Sequence, residues 1–317
     1  MTAVQTAEAG AVPPAGPPPP APVPRRRRRN WAPALFLLPF FVPFVLFTLV
    51  PVGYAFSQSL LRTERTGGTF GRRTTVFAGF DQYAEVLGDP EFLAGVARVL
   101  VFGLVQIPVM LLLALVLALL LDSTVARLKR FFRIAYFVPY GVPGVIAAIM
   151  WAFLYDPRLS PIVDLLKDAG AEPDFLGSGM MLWSIGNIVT WTYTGYNMLI
   201  IYAALQAVPS DIYEAARMDG ASEAKIAWRI KVPILRPALI LTGVFSIIGT
   251  LQLFTEPQVL RSISTSITST YTPNLAAYSL ASADNYSEAA AMSVTLALAT
   301  FVLSFGFLKL TGRKADS

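Results

Sequence analysis

The chain has 317 residues, 55% hydrophobic and 14% charged, with a net charge of +5 and neither cysteine nor histidine. Soluble domains carry about 25% charged residues, so this chain lacks the polar surface of a free globular enzyme. No cysteine means no disulfide, thiolate nucleophile or Cys-based zinc site, and no histidine removes the commonest proton-transfer residue and transition-metal ligand.

Residues 1–24 are mostly Ala and Pro, a composition without a core-forming pattern, and predict a disordered cytoplasmic tail. Arg25–Arg29 follow directly. Five arginines ahead of an apolar run read as a topology anchor that also touches anionic lipid headgroups, not as a nucleic-acid site. The run behind them is too long for a signal-peptide core, so no cleavage is expected. Residues 1–30 form the tail.

A hydrocarbon core about 30 Å thick needs roughly 20 helical residues to cross it. Six uncharged stretches reach or approach that length: Trp31–Leu61, Val99–Leu121, Ile134–Tyr155, Phe175–Ser210 (its span at 181–205), Pro237–Thr255 and Ala289–Leu308. Buried helices of a soluble core would explain one such run, not six. The fold class is therefore all-α: a polytopic membrane protein with six transmembrane helices over residues 31–310, and a short tail at 311–317. The acidic loop 156–174 holds a short amphipathic helix beginning at Pro161, expected to lie on the membrane surface. Residues 262–283, opening on SISTSITSTYT, read as a loop ending in a surface segment, with a seventh helix as the alternative.

Lys and Arg give the orientation. With the N-terminus inside, the inner segments hold seventeen and the outer ones seven, with Arg98 at a helix edge. Four of the outer seven lie between Arg62 and Arg73, against the trend. Both termini cytoplasmic is the better assignment, and the net charge reads as topology charge.

The inner loop VPSDIYEAARMDGASEAKIAWRIKVPILRP, residues 208–237, is the most informative segment. Ser210 is a good N-cap with Asp211 in the first turn, and Gly220 is placed to end that helix. Ser222 caps a second helix that sets Ile226, Ala227 and Ile230 against Lys225 and Arg229. Pro233 and Pro237 should stop it and start the next span. Two short helices hinged at a glycine suit mechanical docking better than chemistry.

This loop resembles the signature of binding-protein-dependent ABC importer permeases: Glu214-Ala215-Ala216, then Gly220, then Ile230 and Val232-Pro233, with valine for the usual leucine. The resemblance covers roughly residues 31–310 and is strongest to the maltose-type and glycerol-phosphate-type carbohydrate permeases. GFDQYAEVLGDPEF (79–92), FVPYGVPGVIAAIMWAFLYDP (137–157) and YTPNLAAYSLASADNYSEAAAMSV (271–294) carry it further. Arg98 stands where that branch commonly has asparagine, and the Ser/Thr run 262–272 replaces its Thr-Gly-Gly-Pro stretch.

The resemblance implies a type I importer permease in a bacterial cell membrane. Its coupling loop, about 206–236, would use Glu214, Ala215, Ala216, Asp219, Gly220, Ile230 and Pro233 to seat in a cytoplasmic ABC ATPase. It implies a second, different permease subunit giving a heterodimer, an extracellular solute-binding protein, a carbohydrate cargo and the lipid bilayer as partners. It implies no nucleic acid, cofactor or metal. The chain has no Walker A pattern (GxxxxGK[ST]), so ATP hydrolysis belongs to another subunit.

Polar residues in the fourth run recur at helical spacing: Asn187, Thr190, Thr194 and Asn197, with Trp191 and Tyr193 beside them. In the fifth, Ser246 and Thr250 share a face, with Gln252 and Glu256 toward the outer end. They either line a hydrophilic path or bond helix to helix. An importer permease for a non-sugar solute is the alternative cargo reading. A stand-alone ion-coupled carrier would need intramembrane carboxylates, of which only borderline Glu256 is present. An intramembrane enzyme has almost no catalytic inventory here.

Overall fold

The computed structural model describes residues 32–66, 72–123 and 125–312. The tail and the Arg25–Arg29 anchor lie outside them, as do residues 313–317. The chain divides into two compact units, Met1–Pro51 and Val52–Ser317.

Helix α1 (Ala32–Phe44) and a π-turn (Val45–Leu49) belong to the first unit, and α2 (Val50–Ser59) begins in it and has all but its first two residues in the second. The π-turn falls between Pro43 and Pro51, two residues with no N–H for the ladder. Phe40 and Phe44 stack one turn apart, ring centres 5.9 Å apart.

In the second unit, residues read as loop form a hairpin of β1 (Leu61–Thr66) and β2 (Arg72–Phe77), antiparallel with Arg62 opposite Val76. The all-α expectation is corrected to this extent: RTERT and RRTTVF are rich in β-branched residues, and Arg62 pairs with Glu85 across the turn that follows. α3 (Asp81–Gly88) leads into α4 (Pro90–Asp122). Asp89 caps α4 by accepting the Glu91 N–H at 2.9 Å, and Pro90 occupies the first turn, where no N–H is needed.

The third run is not one helix. α5 (Lys129–Phe137), a 3₁₀ turn (Val138–Gly141) and α6 (Gly144–Tyr155) bend by 96°. Pro143 supplies the reason: it cannot donate, and it pushes Val142 to extended backbone at φ −79°, ψ 125°. α7 (Pro161–Asp168) is the short helix expected in the acidic loop, capped by Ser160. α8 (Met181–Gln206) matches the predicted fourth span within a residue.

α9 (Ser210–Met218) and α10 (Glu223–Ile226) follow. α10 runs on through a π-turn (Ala227–Lys231) and α11 (Val232–Ile234) almost unbroken into α12 (Arg236–Leu251). Pro233 therefore does not stop the helix. It cannot return an N–H to the Arg229 carbonyl, and the ladder widens by one residue just before it. α13 (Thr255–Leu260), α14 (Pro273–Ser282) and α15 (Tyr286–Gly312) complete the chain. α14 is no surface segment, because Pro273, Leu275, Ala276 and Ala277 are buried.

Among the described residues, four stretches are long and apolar enough to cross a membrane: Leu35–Ser59, Pro90–Asp122, Arg236–Leu260 and Tyr286–Thr311. The bent α5–α6 pair passes as a broken fifth. α8 has the length, with 26 residues, but its amides and hydroxyls keep it out of that set.

α4 and α8 are the central pair. At one end Ala114, Leu115, Ala118 and Leu121 pack on Met198, Ile201, Leu205 and Leu235. At the other, Phe102 joins Ile185, Ile188, Leu260, Tyr271 and Leu275. Small residues bring the backbones together. A Cβ on Gly103 would stand 3.0 Å from Thr250, one on Gly186 3.2 Å from the Phe102 ring, and one on Gly195 would collide with the Tyr136 carbonyl.

Candidate functional site

Two places gather the residues singled out by sequence. The first is the helical elbow between α8 and α12. α9 ends in a left-handed Gly220 (φ +75°), where the Ala221 N–H reaches back to the Ala216 carbonyl at 3.0 Å. That six-residue return with a positive-φ glycine is a Schellman ending. Ser222 then caps α10 through the Lys225 N–H at 3.3 Å. Ser210 caps nothing: it is already the first helical residue, and Pro209 holds the cap position. Arg217 bridges the glycine to Glu223 at 2.7 Å, and this hydrogen bond lowers the Glu223 carboxyl pKa.

Three buried side chains tie the elbow to the bundle. Ile226 is fully enclosed, and Lys231 pairs with Asp122 at the end of α4. Tyr213 lies under the Lys231 ammonium, 4.8 Å from ring centre to nitrogen. Gln206 donates to the other Asp122 oxygen at 2.9 Å. Glu214, Ala215 and Asp219 are exposed, as are the apolar Ile212, Met218 and Trp228; Ala216 and Ile230 are half-buried. The elbow thus has a fastened face and an open one, the open one mixing apolar side chains with a carboxylate.

The second place is a cavity of about 320 Å³ between α4, α8 and the end of α12. Its wall exists because the fifth span breaks. Helix α12 stops at Leu251, and α13 restarts at Thr255. Pro257 cannot donate to the Leu253 carbonyl, which accepts the Thr272 hydroxyl at 3.1 Å instead. The Leu251 carbonyl takes the Asn274 amide at 3.4 Å. Irregular backbone at membrane depth is tolerated where side chains satisfy it and where it borders a cavity. The break presents Gln252, Phe254, Thr255 and Glu256 to the space.

Tyr193, Asn197, Ser246, Thr250, Gln252 and Glu256 all line this cavity. Tyr140, from the Pro-Gly bend, stacks on Tyr196 at 4.6 Å and meets Tyr193 edge-on at 5.8 Å. Asn197 is buried and donates to the Tyr193 carbonyl at 3.1 Å.

A family model described as "Binding-protein-dependent transport system inner membrane component" matches residues 92–310. The chain belongs to this permease family. The permease is 32% identical over 209 residues to the sn-glycerol-3-phosphate transport system permease protein UgpA of Brucella abortus, covering 65% of this chain and 68% of that one. It is 28% identical over 233 residues to the probable ABC transporter permease protein YurN of Bacillus subtilis, covering 72% and 78%. In fold it is similar to a chain of a bacterial ABC transporter involved in the import of the acidic polysaccharide alginate. There the TM-score is 0.76 at 19% identity, over 90% of this chain and 96% of that one. The permease is thus a multi-pass inner-membrane transport component.

The remaining polar residues of α8 lie elsewhere in the permease. Asn187 donates to the Tyr155 hydroxyl at 2.8 Å and borders a separate cavity of about 350 Å³ with Trp151 and Trp183. Trp191 meets Trp151 edge-on at 5.9 Å. Thr190 accepts the Gln106 amide at 3.2 Å, and Thr194 bonds back to the Thr190 carbonyl at 2.6 Å. Sequence reasoning missed Gln106, Tyr140, Tyr196, Phe245, Phe254 and Thr255 as lining residues. For Gln106 a signal existed, since it is the one polar side chain in the run 99–121. For Tyr140 and Thr255 the neighbouring prolines were the signal.

Proposed function

We propose that this permease is the membrane subunit of an ATP-driven importer that passes a sugar or related polyol, delivered by an extracellular binding protein, into the cell. Six spans cross the bilayer with both termini cytoplasmic: the four long ones, α8, and the broken α5–α6 pair. α8 crosses despite its polar residues because they bond to neighbours or line the cavity. Nucleotide hydrolysis takes place on a separate cytoplasmic subunit, and a second, non-identical permease subunit completes the path.

The observation that carries this reading is the continuity from elbow to cavity. The helix that begins after Gly220 runs through Lys231 and α12 to Gly249 and Thr250 in the cavity wall. A push on the open face of α9 and α10 is transmitted along that helix to the wall, and through Lys231 and Asp122 to α4. Glu214 is the charged anchor on the ATPase, Ala215 and Ala216 admit close approach, and Gly220 supplies the turn. In the cavity, amides and hydroxyls bind sugar hydroxyls while tyrosines stack on the ring face.

The test is Glu214→Lys, measured as uptake and membrane abundance together. Charge reversal on an exposed anchor lowers uptake by about tenfold or more at unchanged abundance, the cost of one like-charge contact at an interface. Wild-type uptake by a normally inserted variant contradicts the reading.

A further inference from the structure

The cavity wall has an electrostatic character that the family does not explain. It carries one carboxylate, Glu256, and neither lysine nor arginine. Glu256 is 8% exposed, and none of the ion pairs among the described residues involves it. Arg98 is committed to the Tyr271 carbonyl, and Arg261, five residues beyond Glu256, donates to the Ser279 hydroxyl. Gln106 adds a second acceptor. Only 4% exposed, it turns its Nε2 to Thr190 and leaves Oε1 without a partner. Two acceptors therefore line a wall that carries no cation: the Gln106 Oε1 without a partner, and a Glu256 carboxyl with no side-chain partner among the hydrogen bonds and ion pairs of the described residues.

We propose that this cavity selects carbohydrate rich in hydrogen-bond donors and free of negative charge, neutral or amino sugar, and that Glu256 rejects anionic solutes such as phosphate esters and uronates. The proposal rests on the carbohydrate reading above. Hydroxyls or an ammonium satisfy Glu256 and Gln106 at once. An anion would lose its hydration, find no cation to replace it, and meet a carboxylate of its own sign. At about 5 Å and an effective dielectric near 20, that repulsion is worth on the order of 100-fold in affinity. The names of two similar proteins specify a glycerol phosphate and an acidic polysaccharide, both anionic. On this wall, cargo charge is where the present chain parts from them.

The test uses the transporter purified with the subunits that copurify with it, in lipid nanodiscs at neutral pH and without the external binding protein. Binding of maltose, glucosamine, glycerol 3-phosphate and glucuronate is titrated by saturation-transfer NMR. Maltose and glucosamine bind, and both anions bind on the order of 100-fold more weakly. Glu256→Gln narrows the gap between maltose and the anions about tenfold or more and weakens glucosamine relative to maltose, whereas Glu256→Asp keeps the discrimination. Anions that bind the wild type as well as maltose does, or a gap that survives Glu256→Gln, overturn the charge selection while leaving the carbohydrate reading intact. Binding of none of the four overturns both.

Discussion

Lys231 reaches Asp122 across 109 positions of sequence, and both side chains are nearly enclosed where α4 ends and the elbow begins. The pair is the electrostatic joint between the exposed elbow and the first helix of the central pair. Gln206 on Asp122 and the Tyr213 ring under Lys231 occupy the remaining sides of the two charges.

Breaking this joint from one side strands the other charge. Lys231→Met is expected to destabilise the permease by about 3–5 kcal/mol, as one-sided loss of a buried pair does. The double variant Asp122→Asn with Lys231→Met should recover most of that loss. Thermal unfolding in detergent of the two single variants and the double gives the coupling directly; additive losses would mean that the pair carries no joint energy.

Two glycines at the cavity, Gly249 in its wall and Gly195 beside the lining Tyr196, should respond unequally to the same added methyl. Gly195→Ala drives a Cβ into the Tyr136 backbone carbonyl, which cannot move aside as a side chain could, and should cost about 3 kcal/mol with reduced membrane abundance. Gly249→Ala meets nothing within 4 Å and removes a flexible residue from a helix, so its stability should change by less than about 1 kcal/mol. Unfolding midpoints of the two variants side by side decide this; equal losses would be inconsistent with the packing described.

The elbow has its own acid sensitivity. The Arg217 hydrogen bond holds Glu223 below its ordinary carboxyl value of 4.5. A depressed carboxyl contributes its stability above the unfolded value and loses it as pH falls through the folded one. The difference in unfolding midpoint between wild type and Glu223→Gln should therefore be small and constant above about pH 5 and close progressively below it. Both partners are exposed, so the effect is local to the elbow. A difference that grows on acidification would reverse the assignment.

At the opposite end of α4, Arg98 donates to the Tyr271 carbonyl at 2.7 Å while its guanidinium lies 4.4 Å from the Tyr271 ring centre. Arg98→Ala should cost about 2 kcal/mol and loosen the segment behind α13, raising trypsin cleavage after Arg261. Arg98→Lys should not restore protection, because an ammonium lacks the planar face that stacks on the ring. Limited proteolysis followed by mass spectrometry distinguishes these outcomes.

Much of this was legible in the residues, and the limits are physical. A run of about 20 apolar residues is readable because bilayer thickness fixes the length that must be covered. The elbow is readable because its helix ends and its turn depend on contacts within a few residues: Gly220 in the left-handed region, Ser222 on the Lys225 N–H, Arg217 on Glu223. The two span breaks were missed although Pro143 and Pro257 stood in plain view, since a proline signals a lost hydrogen bond without saying whether the helix bends, stops or widens. Pro233, which only widens the ladder, makes the same point.

Composition and local pattern, then, determined that the chain is a helical membrane protein with a glycine-hinged elbow between two spans. Tertiary structure alone decided which polar side chains share a space. Asn187 and Asn197 lie on one helix, yet the first turns to Tyr155 and the second lines the cavity with Glu256. Helical spacing gives the direction of a side chain about its own axis. What that direction points at depends on where the neighbouring helices cross and break, and that is settled by contacts between residues far apart in the chain.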